Sequence, residues 1–135
     1  DLPFVATIIM GQIKAQKSLN PALVFKNESD KIFALKLFRN TINNNAEYER
    51  IIVRFSNNWE LERIAIMDQL FLKMAFSEIL SMEDLPIKVS MNEYIEISKY
   101  YGSTKSKLFV NGLLDNVVKT FTKEGGIKKV GRGLV

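Results

Sequence analysis

Residues 59–80 read WELERIAIMDQLFLKMAFSEIL. The run holds no Gly and no Pro, and Asp68 is its only aspartate. Glu62, Gln69, Lys73 and Ser77 lie four or seven residues apart, which places them on one narrow strip of an α-helix. Nearly everything else is apolar. A helix that is apolar around most of its circumference has to be covered on several sides. Residues 59–80 are therefore expected to form a central helix, with the other elements packed around it.

The flanking sequence supplies those elements. Residues 2–17 carry Phe4, Val5, Ile8, Ile9 and Ile13 at helical spacing, and Asn20-Pro21 ends that helix because the residue before Pro avoids the α region. Ser29 or Asp30 is expected to cap a second helix with Ile32, Phe33, Leu35, Leu37, Phe38 and Ile42 on a broad apolar face. The Asn43-Asn44-Asn45 run reads as a turn. Residues 46–56 read as a third helix, with Tyr48, Ile51, Ile52 and Phe55 inward. Within the central run Asp68 interrupts an otherwise apolar stripe; it is either bonded to a nearby backbone turn or Arg63, or kept in a groove for a partner.

After a loop at 81–88, Ser90 and Glu93 have the spacing of a capping box, with Val89 and Tyr94 placed as its hydrophobic staple. That helix is expected to run to Tyr101, with Gly102 as a left-handed terminator. A short basic loop, STKSK, follows at 103–107. Residues 108–121 form the last helix, with Leu108, Val110, Leu113, Leu114, Val117 and Phe121 as core candidates and Gly112 allowing a close crossing. From Thr122 the chain is rich in Gly and Lys, and mobility is expected there. Five to seven helices without a convincing strand define an all-α bundle, a single domain over 1–121 with a basic tail at 122–135.

Composition narrows the function. The 135 residues include no Cys and no His. That removes disulfides, thiolate and imidazole metal ligands, Cys nucleophiles and Ser-His-Asp triads. No close pair of carboxylates or lysines stands out to replace them, so a binding protein without cofactor or metal is expected rather than an enzyme. The absence of Cys fits a reducing compartment, and no apolar run reaches the roughly 20 residues of a membrane span, so a cytoplasmic protein is expected. Asp1 in place of Met points to a processed or excised chain. The net charge is +4, yet residues 88–135 hold nine basic and four acidic side chains. The positive excess thus sits in the last third, a weak pointer to nucleic acid.

Residues 85–115 read LPIKVSMNEYIEISKYYGSTKSKLFVNGLLD. This segment resembles the C-terminal half of the NusB family of transcription antitermination factors. Pro86, Lys88, Val89, Asn92, Glu93, Ile95, Glu96, Lys99, Gly102, Phe109, Asn111, Gly112, Leu114 and Asp115 carry the likeness. Asp68, Lys73 and Glu78 extend it into the central run. The resemblance implies a NusB-like helical fold that binds boxA RNA of ribosomal RNA leaders together with NusE, within the transcription elongation complex. Two departures are visible. The arginine-rich first helix of the family has no counterpart in PFVATIIMGQIKAQK, and the loop after Gly102, often acidic in the family, carries Lys105.

On that footing Lys88, Lys99, Lys105 and Lys107 are candidates to neutralise phosphates, Tyr101 and Phe109 to stack on bases, and Ser103 and Thr104 either to bond phosphate or sugar or to shape the loop. Either ring could instead belong to the core. Asp68 and Lys73 are candidates for the NusE-facing surface. Asn111, Gly112 and Asp115 are expected to be structural, with tight packing at Asn111-Gly112, the Asn111 amide bonded to a neighbouring loop and Asp115 to a helix end or loop. Two other functions fit the same helices: the NusB-like RNA-binding domain of an rRNA cytosine methyltransferase, and a protein-interaction scaffold with no RNA role.

Overall fold

A computed structural model describes residues 27–57 and 59–130, together with Thr7 and Met10. The expected first helix and the connection at 21–26 lie outside the described residues. The chain divides into two compact units, Asp1–Arg39 and Asn40–Val135. Among the described residues there are five α-helices: α1 Glu28–Asn43, α2 Asn45–Phe55, α3 Ile66–Ser81, α4 Ile87–Tyr101 and α5 Ser106–Lys123. A single 3₁₀ turn, Leu61–Arg63, precedes α3. The architecture is all-α, as its sequence implies.

The first unit holds most of α1. Its start is capped by Asn27, whose Oδ1 accepts the Asp30 N–H at 2.9 Å. Ser29 and Asp30, the expected caps, are already inside the helix. Ala34 and Leu37 are buried, one turn apart on one face.

The second unit is assembled around α3, which packs against α2, α4 and α5. Phe71, Leu72, Ala75, Phe76 and Ile79 have no exposed surface. Burying each large apolar side chain contributes about 1.5–3 kcal/mol, so this helix is the main apolar store of the unit. Tyr48 of α2 meets Phe76 edge-on at 5.8 Å between ring centres, and its hydroxyl shares a hydrogen bond with Ser77 Oγ. Lys73 ties α3 to α2 through Glu49 at 3.1 Å.

The central helix is shorter than its sequence suggests. It begins at Ile66, not at 59, because Ile64 and Ala65 are extended. The break is held by Gln69, whose side-chain amide donates to both Leu61 O and Ile64 O at 2.9 Å. Asp68 is therefore a first-turn acid, where the helix dipole favours negative charge, rather than an interruption in mid-helix.

The start of α4 also differs. Pro86 is extended and Ile87 is the first helical residue, so Ser90 lies one turn inside the helix. Ser90 does not form a capping box with Glu93. Its hydroxyl donates to Glu78 Oε1 of α3 at 3.0 Å, and the Tyr94 hydroxyl donates to Glu78 Oε2. Glu78 is only 3% exposed. Burial pushes its carboxyl from 4.5 up to about 7, against the opposing pull of the Tyr94 and Ser90 hydrogen bonds. Burial and the same carboxylate push the Tyr94 phenol well above its ordinary value.

The chain beyond α5 returns to this place. Gly125, at φ +74°, ends the helix, and the Gly126 N–H closes back on Phe121 O at 2.8 Å. The Lys129 ammonium donates to Glu78 O and Met82 O at 3.1 and 2.7 Å, capping the last turn of α3. The Val130 N–H donates to Glu83 O. Where mobility is expected from Thr122, the segment up to Val130 is thus bonded to the end of α3; residues 131–135 lie outside the described part.

A pH dependence follows from Glu78. Its native pKa lies above its unfolded one, so its contribution is fully present below about pH 4.5 and is lost as pH rises through about 7. The span is worth at most about 3 kcal/mol. Glu78→Gln cannot titrate, so its stability relative to the parent protein should climb between pH 5 and 8 in chemical denaturation. A constant difference across that range would show that Glu78 does not titrate as described.

Candidate nucleic-acid interface

The turn between α4 and α5 is built by one glycine. Gly102 has φ −99° and ψ −173°, ordinary extended backbone and not the left-handed region expected of it. It is needed because nothing larger fits. A Cβ there would come within 2.4 Å of Ser106 Oγ, 2.5 Å of Ser106 Cβ and 2.7 Å of Ser98 O. The close approach lets Ser106, itself buried, accept the Ser103 N–H at 2.8 Å and share a bond with the Ser103 hydroxyl at 3.1 Å. The loop carrying Ser103, Thr104 and Lys105 is thereby fixed against the start of α5.

Opposite this loop lies the segment that enters α3. Trp59, half exposed, stacks on Phe109 of α5 with ring centres 6.3 Å apart and planes 16° from parallel. Two hollows share this ring pair. The larger, about 660 Å³, is bounded by Trp59, Arg63, Asp68, Ser103, Lys105 and Phe109, with Leu108 at its edge. The smaller, about 270 Å³, lies toward Asn57, Gly112 and Asn116. Asp68 is 7% exposed, and its Oδ1 is buried with no hydrogen-bond partner. Among the described residues it is the one buried side-chain oxygen in that state, and such orphaned acceptors are rare.

The expected site residues fall into groups. Ser103, Lys105 and Phe109 are brought to one hollow, and Asp68, expected on a separate partner surface, joins them there. Thr104 and Lys107 are exposed on the same loop and first turn without lining it. Lys88 and Lys99 are exposed near opposite ends of α4, about 16 Å apart along its axis but on one face. Tyr101 is half-buried, while its neighbour Tyr100 is the exposed ring, with the Lys99 ammonium 5.5 Å from its centre. Lys73 is engaged with Glu49. Leu108, expected in the core, is 77% exposed at the rim of the groove. Asn111 and Gly112 are exposed, and a Cβ on Gly112 would meet nothing within 4 Å, so neither serves the close packing expected of it.

Trp59 and Arg63 were not among the sequence candidates, because both fall within the expected central helix. Their one signal is the aromatic-plus-arginine pair itself, set among Glu60 and Glu62 just before the long apolar run. Glu78, with a pKa near neutrality, has the profile of a general acid or base. It lines neither hollow and is sealed from solvent. Among the described residues no cluster of acids could hold a metal ion, and no helix is long and apolar enough to cross a membrane.

A groove joining stacked aromatic rings, hydroxyls and a cation on an all-helical scaffold defines an interaction domain. Residues 5–119 match the NusB family. The chain is 41% identical over 110 residues to the "Transcription antitermination protein NusB" of Salinibacter ruber, 39% over 122 to that of Chloroherpeton thalassium and 42% over 92 to that of Alkaliphilus oremlandii. Those matches cover 82%, 90% and 68% of this chain and 69%, 58% and 67% of the relatives. The fold is similar to T. maritima NusB, with a TM-score of 0.69, 28% identity and 87% of each chain covered. The chain belongs to the NusB family.

The Gly102 contact generates a test. The clashing neighbours are a backbone carbonyl and a short, engaged side chain, so Gly102→Ala should destabilise the fold by about 1–3 kcal/mol, as overpacking does. Denaturant midpoints would read it; an unchanged midpoint would mean the turn can open freely.

Proposed function

We propose that this protein is a transcription antitermination factor that binds boxA-type single-stranded RNA of ribosomal RNA leaders together with NusE. In the transcription elongation complex, the pair keeps RNA polymerase processive through rRNA operons. The observation that carries this reading is the convergence of Ser103, Lys105 and Phe109 on one groove in a chain of the NusB family. Lys105 and Lys107 neutralise phosphates, with Lys88 and Lys99 extending the basic track along α4. Phe109 presents a ring to a base, and the half-buried Tyr101 offers a second. Ser103 and Thr104 bond phosphate or the ribose hydroxyl. Single-stranded recognition suits this set because unstacked bases stack on flat π surfaces while a basic track follows the backbone.

NusE docks along the edge where Asp68 keeps an unbonded oxygen. Lys73, the other residue of that partner surface, holds α2 to α3 through Glu49. The protein acts by binding, in the cytoplasm, and its near-neutral carboxyl is a sealed structural group rather than a reactive one.

The test is RNA binding as a function of salt, with and without NusE. Each phosphate contact adds about 0.7 to the logarithmic salt slope for single strands. Lys105→Glu with Lys107→Glu should therefore weaken binding and flatten the slope by about 1.4, leaving NusE binding intact. Unchanged RNA affinity and slope in that variant, with NusE still bound, would instead favour a helical scaffold without an RNA role.

A further inference from the structure

Two features of the groove have no explanation among the described residues. The first is Trp59. It is the only tryptophan, it is 53% exposed, and it is held nearly parallel to Phe109 rather than folded into the core. The second is Gly112. Glycine within a helix costs about 1 kcal/mol relative to alanine, and it is usually kept where something approaches closely. Here nothing approaches: the position is exposed in the middle of α5, and a Cβ would meet open space. Both residues border the smaller hollow, and Trp59 borders the larger one as well.

We propose that Trp59 is a nucleobase-stacking residue and that Gly112 is the bare stretch of helix over which the same RNA strand lies, so that the strand crosses the Trp59–Phe109 shelf from one hollow to the other. This rests on the RNA-binding function proposed above and extends its site to residues on both sides of Phe109. The shelf has the chemistry for it. An indole offers the largest π face of any side chain, and stacking on it is tolerant of base identity. Arg63 and Lys105 stand at the larger hollow to meet phosphates on one side of the shelf. Asn57 and Asn116 stand at the smaller hollow, where their amides can donate to and accept from a base edge. A ribose-phosphate chain lying flat on the backbone at Gly112 would clash with any Cβ, and the cations beside the shelf favour that occupant over an uncharged protein surface.

The single tryptophan makes the experiment direct. A short single-stranded boxA RNA is titrated into the full chain, with and without NusE, while tryptophan emission and the anisotropy of labelled RNA are followed together. Where NusE contains tryptophan, a variant of NusE without it is used. Emission should be quenched with the same midpoint as the anisotropy rise. Trp59→Leu should weaken RNA binding by roughly 5- to 150-fold, with Trp59→Phe in between. Gly112→Ala should raise the melting temperature by a few degrees and yet weaken RNA binding, a combination that a purely structural role does not produce. RNA binding with unchanged emission, and with full affinity in Trp59→Leu and Gly112→Ala, would overturn this subsite while leaving the proposed function standing. Variants that lose NusE but keep RNA would equally overturn it and assign the shelf to protein. Failure of the parent chain to bind RNA under either condition would overturn the proposed function itself, and this subsite with it.

Discussion

The second unit depends on covering α3. Its sequence is apolar around most of its circumference, so it is stable only when α2, α4 and α5 close around it together. The carboxyl carried deepest inside by that closure is Glu78. A buried carboxyl without partners would be strongly destabilising. The structure answers with Ser90 and Tyr94, one turn apart on α4, and with a neutral form favoured up to about pH 7. The pairing fixes the register of α4 on α3, since only one rotation of α4 points both hydroxyls at the carboxyl. Lys129 then draws the chain after α5 to the carbonyl end of the same helix. A single polar spot thereby coordinates three segments distant in sequence.

That register is what makes a groove. With α4 fixed, the tight Gly102 turn sets where α5 begins, and α5 presents Phe109 toward the segment entering α3. The entering segment is extended at Ile64 and Ala65 because Gln69 holds the carbonyls of Leu61 and Ile64. Trp59 is thus placed across from Phe109 rather than along α3. Ordinary packing and hydrogen-bond constraints therefore suffice to bring a tryptophan, a phenylalanine, hydroxyls, cations and one unsatisfied carboxylate oxygen to a common surface.

The helices were legible in sequence because their apolar residues recur with the helical period, and α3 was legible as central because its apolar positions leave only one narrow polar strip. Their ends were less so. Ser90 and Glu93 have the spacing of a capping box, but local spacing does not reveal a carboxyl on another helix competing for the serine hydroxyl. Trp59 to Ile64 carries no Gly or Pro, so nothing local marks the break that Gln69 makes. Gly102 was recognised as a terminator, yet it is required by the Ser106 side chain and not by a left-handed conformation. In the candidate site, Lys105, Ser103 and Phe109 could be picked out through family resemblance and charge. Trp59 and Arg63 could not, because their role appears only when the break before α3 turns them toward α5.

The central claim is that a single RNA strand lies in the groove between the segment entering α3 and the start of α5. Photo-crosslinking of a thiouridine-substituted boxA RNA to the protein–NusE complex, with the adducts mapped by mass spectrometry, tests it most directly. Adducts concentrated on the peptides that carry Trp59 and residues 103–112 are the expected result. Adducts confined to α1 and α2, with that groove unlabelled, would contradict it.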